Sequence, residues 1–458
     1  MFGCGYVGLT TAVGLAETGN RVIGIDTDAE KLRILRKGRV PFYEPGLQEL
    51  LQKNVRGKRL TFSADARTGI EHADIIFCAV GTPPLKNNNA DLSAVLKVAR
   101  AFGQYGNVLS TEKRGAKKRS GKRLGTLKIF INKSTVPVGT SEQIRKTIEK
   151  FASVKFYFRV VSNPEFLREG SAVRDFFKPD RVIIGLEKED WKLKNIMKTI
   201  YLPLSKNGVP LVFTDIRSAE VIKYASNAYL ATRISFINEL ANFCEKAGAD
   251  IKKVAKGIGM DKRIGTHYLE AGIGFGGSCL PKDLNSLIEI GKKRGHNFEL
   301  LKAVQAVNKR QAVRLVEKLE AQFDKGKLRV KTGLRGKTVA IWGLSFKSKT
   351  DDLRDAPSLN IIRKLLQLKV KVQVYDPAAM PKAKAILGSS VRFFDNYYSV
   401  LDRADALIIC TDWNEFSNPD YAKMRRKMSD YYILDGRNLL DPAEAAGNGF
   451  EYQGVGRG

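Results

Sequence analysis

Short apolar runs rich in branched residues alternate with helix-patterned segments along the first part of the chain, and this alternation limits the fold more tightly than any other feature. RVIGID, ADIIFCAVG, KIFINKST, FRVVSNPE and DRVIIG follow one another in this way over residues 1–215. Strands separated by helices are joined by crossovers, so the spacing predicts a parallel sheet covered on both faces. Over 216–325 the pattern turns helical. SAEVIKYASNAYLATRISFINELANFCEKAG carries apolar residues at helical spacing up to a stop at Gly248, and ELLKAVQAVNKRQAVRLVEKLEAQF reads as a second long amphipathic helix. The polar stretch 324–337 reads as a linker. Strands resume with TVAIWG, VKVQVYD, ADALIICT and YYILDG, which gives a second α/β domain over 336–458. ADIIFCAVGT and ADALIICTDW are alike, which suggests that the two α/β halves are related.

With 458 residues the chain has room for about two or three domains. No apolar run approaches the ~18 residues of a membrane span, and the first residues lack the basic, apolar and small-residue order of a secretory signal. Cys4, Cys78, Cys244, Cys279 and Cys410 are odd in number and scattered. That pattern is expected of a reducing, cytoplasmic compartment and not of a disulfide framework. His72, His267 and His296 are the only histidines and there is no CxxC pair, so no metal site is expected. The net charge of +30 favours anionic partners such as nucleotides and phosphorylated metabolites. Part of it is local: 113–128 (KRGAKKRSGKRLGTLK) holds eight basic residues and no acid, and reads as a solvated insertion between structured elements. No aromatic residue is interleaved there for base stacking, which argues against nucleic acid as its partner.

Gly3-Cys4-Gly5-Tyr6-Val7-Gly8 fits GxGxxG and is followed by a helical stretch and by the run RVIGID, which ends at Asp26. Such glycines permit a tight turn and the close approach of a pyrophosphate to a helix N-terminus. A carboxylate 18 residues past Gly8 would hold the adenosine ribose and repel a 2′-phosphate, so NAD is expected over NADP. The turn should follow a strand of about five apolar residues, yet only Met1 and Phe2 precede it. The central strand of the first sheet is therefore expected to be cut short in the sequence as given.

KSTVPVGT (133–140), SNPEFLREG (162–170), VIKYASNA (221–228) and GFGGSCLPKD (274–283) carry the chemistry. Together with GYVG, YEPGL and FKSKTDDLRDAPS (346–358) they make the chain resemble the UDP-glucose/GDP-mannose dehydrogenase family, in order and over nearly its whole length. Within the family the motifs look most like the branch that oxidises UDP-glucose. The fold that the resemblance implies is α/β: two Rossmann-like doubly wound domains, the first binding NAD and the second the UDP-sugar, joined by a central helical dimerisation segment. A homodimer or higher homo-oligomer is the expected assembly.

Cys279 is the leading candidate for a catalytic residue. A thiolate is a strong nucleophile, glycines before it let backbone approach a ligand, and Lys282 and Asp283 follow within one turn. Cys78, Cys244 and Cys410 lie in apolar patterns and read as buried thiols. Lys223 and Asn227 stand four apart on a helix and share a face; Glu165 and Glu169 are likewise four apart. The resemblance implies that Cys279 is the covalent nucleophile, that Lys223 and Asn227 stabilise oxyanions, and that Glu165 is a base for thioester hydrolysis. It implies that Thr135 and Asp283 hold the catalytic water, and leaves open which of Glu165 and Asp283 takes the decisive proton. For the cofactor it implies Gly3, Gly5, Tyr6, Val7, Gly8, Asp26, Lys31, Thr82, Thr135, Glu169 and Arg354. For the substrate it implies Glu165, Phe166, Leu167, Lys223, Asn227, Gly276, Lys347, Arg437 and Arg263, the last reaching a neighbouring subunit's site.

The implied reaction removes four electrons from the sugar alcohol through a thiohemiacetal and a thioester on Cys279. The same chemistry on GDP-mannose, UDP-N-acetylglucosamine or UDP-N-acetylmannosamine is the alternative within the family. An inactive nucleotide-binding or basic nucleic-acid-binding protein is the alternative from another class. The presence of every catalytic position named above argues against it.

Overall fold

The computed structural model describes residues 1–106, 127–152, 156–187, 190–324 and 333–457. It divides into two compact units, Met1–Ser226 and Asn227–Gly458. Most of the predicted insertion at 113–128, and most of the linker, lie outside the described residues.

The first unit is built on β1 (Val22–Ile25), β2 (Leu60–Ser63), β3 (Ile75–Cys78), β4 (Lys128–Asn132), β5 (Phe158–Ser162), β6 (Val182–Leu186) and β7 (Leu211–Asp215). β1 pairs with β2, and β3 to β7 pair in order. Residues 1–3 join the two groups. Phe2 donates to the Phe77 carbonyl at 2.8 Å and accepts from Ala79 at 2.8 Å, while Gly3 donates to Ile25 at 2.8 Å. The short central strand expected from the sequence thus still bridges β1 and β3, though through little more than Phe2. One expectation is corrected. β5 and β6 run antiparallel, so the sheet is mixed where a wholly parallel one was predicted.

Side chains of β4 alternate between the two cores: Ile129 and Ile131 enter one cluster, Phe130 the other. All five β4 residues are buried, as a strand covered on both faces requires. Lys128 is among them, which overturns its assignment to the solvated insertion. Its ammonium caps the end of the helix Ala66–Glu71, donating to the Ile70 and Ala73 carbonyls at 2.5 and 2.9 Å. Burial pushes this amine below the usual lysine range.

The second unit carries β8 (Thr338–Trp342), β9 (Lys371–Tyr375), β10 (Arg392–Phe393), β11 (Ala406–Ile409), β12 (Tyr432–Asp435) and β13 (Glu451–Gly454). Their order is β10-β9-β8-β11-β12-β13, all parallel. That is the 3-2-1-4-5-6 arrangement of dinucleotide folds. Counting residues 1–3 as its first strand, the first unit begins in the same order. β2, β7, β10 and β13 escaped the sequence reading because they are short or lie at sheet edges.

The helix Ile216–Ala247 ends before Gly248, whose φ of +69° only glycine adopts without strain. Tyr229, Phe236 and Phe243 are 62%, 55% and 63% exposed along it, spaced by seven. The helix Glu299–Asp324 adds Leu300, 65% exposed. No helix among the described residues is long and apolar enough to cross a membrane.

Replacing Lys128 with Ala should lower unfolding free energy by about 2 kcal/mol, because the freed carbonyls sit beside an apolar strand. Urea titration of the two proteins checks this; equal midpoints would refute the capping role.

Candidate active site

The glycine turn has the shape a pyrophosphate needs. Gly3 has φ +86°, and a Cβ there would lie 2.6 Å from the Ala79 carbonyl oxygen; one at Gly8 would lie 1.9 Å from that of Gly3. A Cβ at Gly5 would meet nothing within 4 Å, so open space lies where the helix Tyr6–Glu17 begins. Tyr6 and Val7 form its first turn, which carries no acidic residue and no side-chain cap. NAD fits this cradle on both counts.

Asp26 follows β1. Its Oδ2 accepts the Cys4 N–H at 2.8 Å and the Lys31 ammonium at 3.0 Å, and its Oδ1 accepts the Asp28 N–H at 3.0 Å. Burial opposes ionisation, but these N–H groups and Lys31 outweigh it and hold the carboxyl below its usual range. Farther along the sheet edge, the Thr82 hydroxyl donates to the Thr135 carbonyl at 2.9 Å and ties together the loops after β3 and β4.

Residues 163–168 form neither helix nor strand, so Glu165 and Glu169 do not share a helix face. Glu165 is buried; one oxygen lies 3.2 Å from the Lys223 ammonium and the other accepts the Leu167 N–H at 2.5 Å. The Arg181 guanidinium lies 3.8 Å from the centre of the Phe166 ring. Glu169 is half-buried, and just beyond it Gly170 and Ala172 each donate to Glu44 at 2.7 Å. Glu44 is thus the anchor that YEPGL supplies. Lys133 was passed over in the sequence, although a lysine closing a buried strand inside a motif was the available signal. It is buried, and its ammonium donates to the Asn163 side-chain oxygen at 3.2 Å.

In the second unit Cys279 caps the helix Leu280–Lys293, where the helix dipole favours negative charge. It is partly exposed, whereas Cys4, Cys78, Cys244 and Cys410 are buried. Burial pushes the thiols of Cys4, Cys78 and Cys410 up to about 12. Asp283 accepts the Asn227 amide at 2.6 Å and the Lys282 ammonium at 2.5 Å. The glycines before Cys279 are required by packing. A Cβ on Gly276 would lie 2.3 Å from the Asp355 carbonyl oxygen, and one on Gly277 2.8 Å from the Phe346 ring.

The candidate binding cations differ in setting. Arg437 donates to the Cys410 and Phe346 carbonyls at 2.8 and 3.0 Å. Arg354 is held along Asp352, and Lys347 lies 5.6 Å from the Phe346 ring centre. Arg263 projects from its surface, its side chain 89% exposed and bound by Asp261.

The second unit repeats the turn of the first. Gly343 has φ +87° and donates to Tyr375 at 2.8 Å; Asp376 accepts from Leu344 at 2.7 Å and from Ala378 at 2.8 Å. Asp376 is fully buried and also takes the Trp413 indole N–H at 3.2 Å, whereas the Asp26 side chain keeps 9% exposure.

A sheet of dinucleotide order with a glycine turn and a carboxylate at the end of its second strand is the arrangement of a dinucleotide-binding protein. Family models for the UDP-glucose/GDP-mannose dehydrogenase family match in series: the NAD binding domain over 1–205, the central domain over 217–310 and the UDP binding domain over 340–442. The chain is 43% identical over 457 residues to the UDP-glucose 6-dehydrogenase TuaD of Bacillus subtilis, covering 100% of this chain and 92% of that protein. It is 43% identical to the UDP-glucose 6-dehydrogenase of Pseudomonas aeruginosa, covering 100% and 97%. A UDP-glucose dehydrogenase structure from Pyrobaculum islandicum superposes with a TM-score of 0.87 at 38% identity, covering 100% and 97%. The chain belongs to the UDP-glucose/GDP-mannose dehydrogenase family and is an NAD-dependent oxidoreductase.

If Asp26 repels a 2′-phosphate, replacing it with Ala removes that charge and releases Lys31 from its ion pair. The preference for NAD⁺ over NADP⁺ in kcat/KM should fall about tenfold or more. Equal use of the two cofactors by the unaltered protein would show that Asp26 does not select between them.

Proposed function

We propose that the chain oxidises the C6 alcohol of UDP-glucose to the carboxylate of UDP-glucuronate through a thioester on Cys279. The observation that carries the mechanism is the setting of Cys279, a partly exposed thiol at a helix N-terminus in a chain whose other cysteines are buried. Its relatives named UDP-glucose 6-dehydrogenases support the choice of sugar.

NAD⁺ bound at the glycine turn supplies the hydride acceptor, one molecule for each of the two oxidations. Cys279 adds to the aldehyde carbon, so the intermediate stays covalently attached while cofactors exchange. Lys223 and Asn227, one turn apart on one helix, supply an ammonium and an amide for the developing oxyanion. Glu165 takes a proton from the attacking water, and Asp283, with Thr135, orients that water. The carbonyl of the thioester is released as a carboxylate and the thiol is restored. Lys347 and Arg437 suit the anionic substrate, and Arg354 and Lys31 the cofactor. Five cysteines outside any disulfide support action in the reducing cytoplasm.

The chain works as a homodimer or a multiple of one. Tyr229, Phe236 and Phe243 form an apolar stripe that a second copy would cover, and the exposed Arg263 suits a residue that completes a neighbour's site. Phe236→Glu should yield monomers by light scattering, with activity lowered about tenfold or more; an unchanged mass would refute the interface.

Unaltered protein should release two NADH per sugar acid without free aldehyde, and use UDP-glucose best among GDP-mannose and the N-acetylated UDP-sugars. Cys279→Ala should abolish acid formation while NAD⁺ binding survives. Cys279→Ser should turn over slowly and carry a sugar ester, visible as added mass on the intact protein. A Cys279→Ala protein that still forms two NADH per substrate near the original rate would overturn the mechanism.

A further inference from the structure

Lys133 opens the KSTVPVGT motif and has no part in the chemistry above. It is buried next to Glu165 all the same. Its ammonium donates to both oxygens of Asn163, at 3.2 Å to the side chain and 3.4 Å to the main chain. The Tyr201 hydroxyl donates to the same side-chain oxygen, the Asn163 amide donates to Ile183 at 2.7 Å, and its N–H donates to Asn132 at 2.8 Å. Every polar group of Asn163 is therefore engaged, two positions before Glu165. Lys133 and Glu165 also line one cavity of about 140 Å³, together with Phe166 and Leu167.

The charges around it are informative. Lys133, Lys223 and Glu165 are all at most 6% exposed, which sets two ammonium groups against one carboxylate. A neutral side chain of similar length would fill the space at less cost, because a buried ammonium loses its hydration. Burial pushes the Lys133 amine down to about 8, with the Glu165 charge resisting and the Lys223 charge assisting. Arg168, Arg174, Asp175, Lys178, Asp180 and Arg181 line the same cavity. Tyr201 meets Lys133 only through Asn163, and the Cys78 thiol, whose carbonyl takes the Lys133 N–H at 2.8 Å, is kept neutral by burial.

We propose that Lys133 is a positioning residue for thioester hydrolysis: its ammonium clamps Asn163 at the root of the loop that carries Glu165. This rests on the reading of Glu165 as the hydrolytic base, so Glu165→Gln is measured beside the lysine variants.

The experiment uses the full chain with UDP-glucose and NAD⁺, following the loss of the sugar–acyl mass on Cys279 by rapid quench. Lys133→Gln keeps a donor for Asn163; Lys133→Met loses it. Lys133→Met should slow hydrolysis about tenfold, Lys133→Gln should stay within about threefold of the unaltered rate, and both should leave the KM for NAD⁺ within about twofold. A Lys133→Met rate near the unaltered one, or a Lys133→Gln rate as low as that of Lys133→Met, overturns the proposal and leaves the base assignment standing where Glu165→Gln has lost hydrolysis. Hydrolysis retained in Glu165→Gln overturns both. Failure of both lysine variants to fold assigns Lys133 to the fold alone and overturns the proposal too.

Discussion

Each α/β half hangs on a carboxylate at the end of one strand that accepts the N–H after the turn glycine of its neighbour. Asp26 receives Cys4 at 2.8 Å, and Asp376 receives Leu344 at 2.7 Å. The contact fixes where the chain leaves the sheet and turns into the next element. It thereby sets the crevice at which a doubly wound sheet presents a ligand. The two halves then diverge. Asp376 is enclosed by further donors, including Ser345 and Trp413, and serves only as a bracket. Asp26 has Lys31 beside it, a cation that the bracket at Asp376 lacks among its hydrogen-bond donors.

The site shows a second theme, charges buried only where other groups compensate them. Glu165 lies against Lys223 and Leu167, Asp283 against Asn227 and Lys282, and Glu44 against two main-chain N–H groups. Such groups hold their geometry because any displacement would leave a charge uncompensated away from water. The loops of the site are therefore braced by side chains where regular secondary structure is absent, as in 163–168.

The main strands and both long helices were legible because period and length separate them: four- and five-residue apolar runs before 216 and after 337, and helices of 32 and 26 residues between. β10, two residues long, and the edge strand β13 carry too little pattern to be read. The antiparallel step from β5 to β6 is set by the path of 163–181, which no periodicity encodes. Lys128 was misread because charge pattern alone places lysines in solvent, whereas three carbonyls at one helix end hold this one inside. Cys279 and the glycine turn stood out because their neighbours are unusual for a core. The partners of Asp26, Asp283 and Lys133 come from distant positions in the chain or from backbone geometry, and only folding brings them together.

The unequal settings of the five sulfurs also govern how the protein ages. Oxidants and alkylating agents act on thiols that solvent can reach and that ionise readily. Four cysteines are shut away, and the remaining one is the nucleophile candidate. Damage to the thiols is thus directed to Cys279 ahead of the cysteines inside the packed interior, so it falls on the proposed nucleophile before it reaches the core.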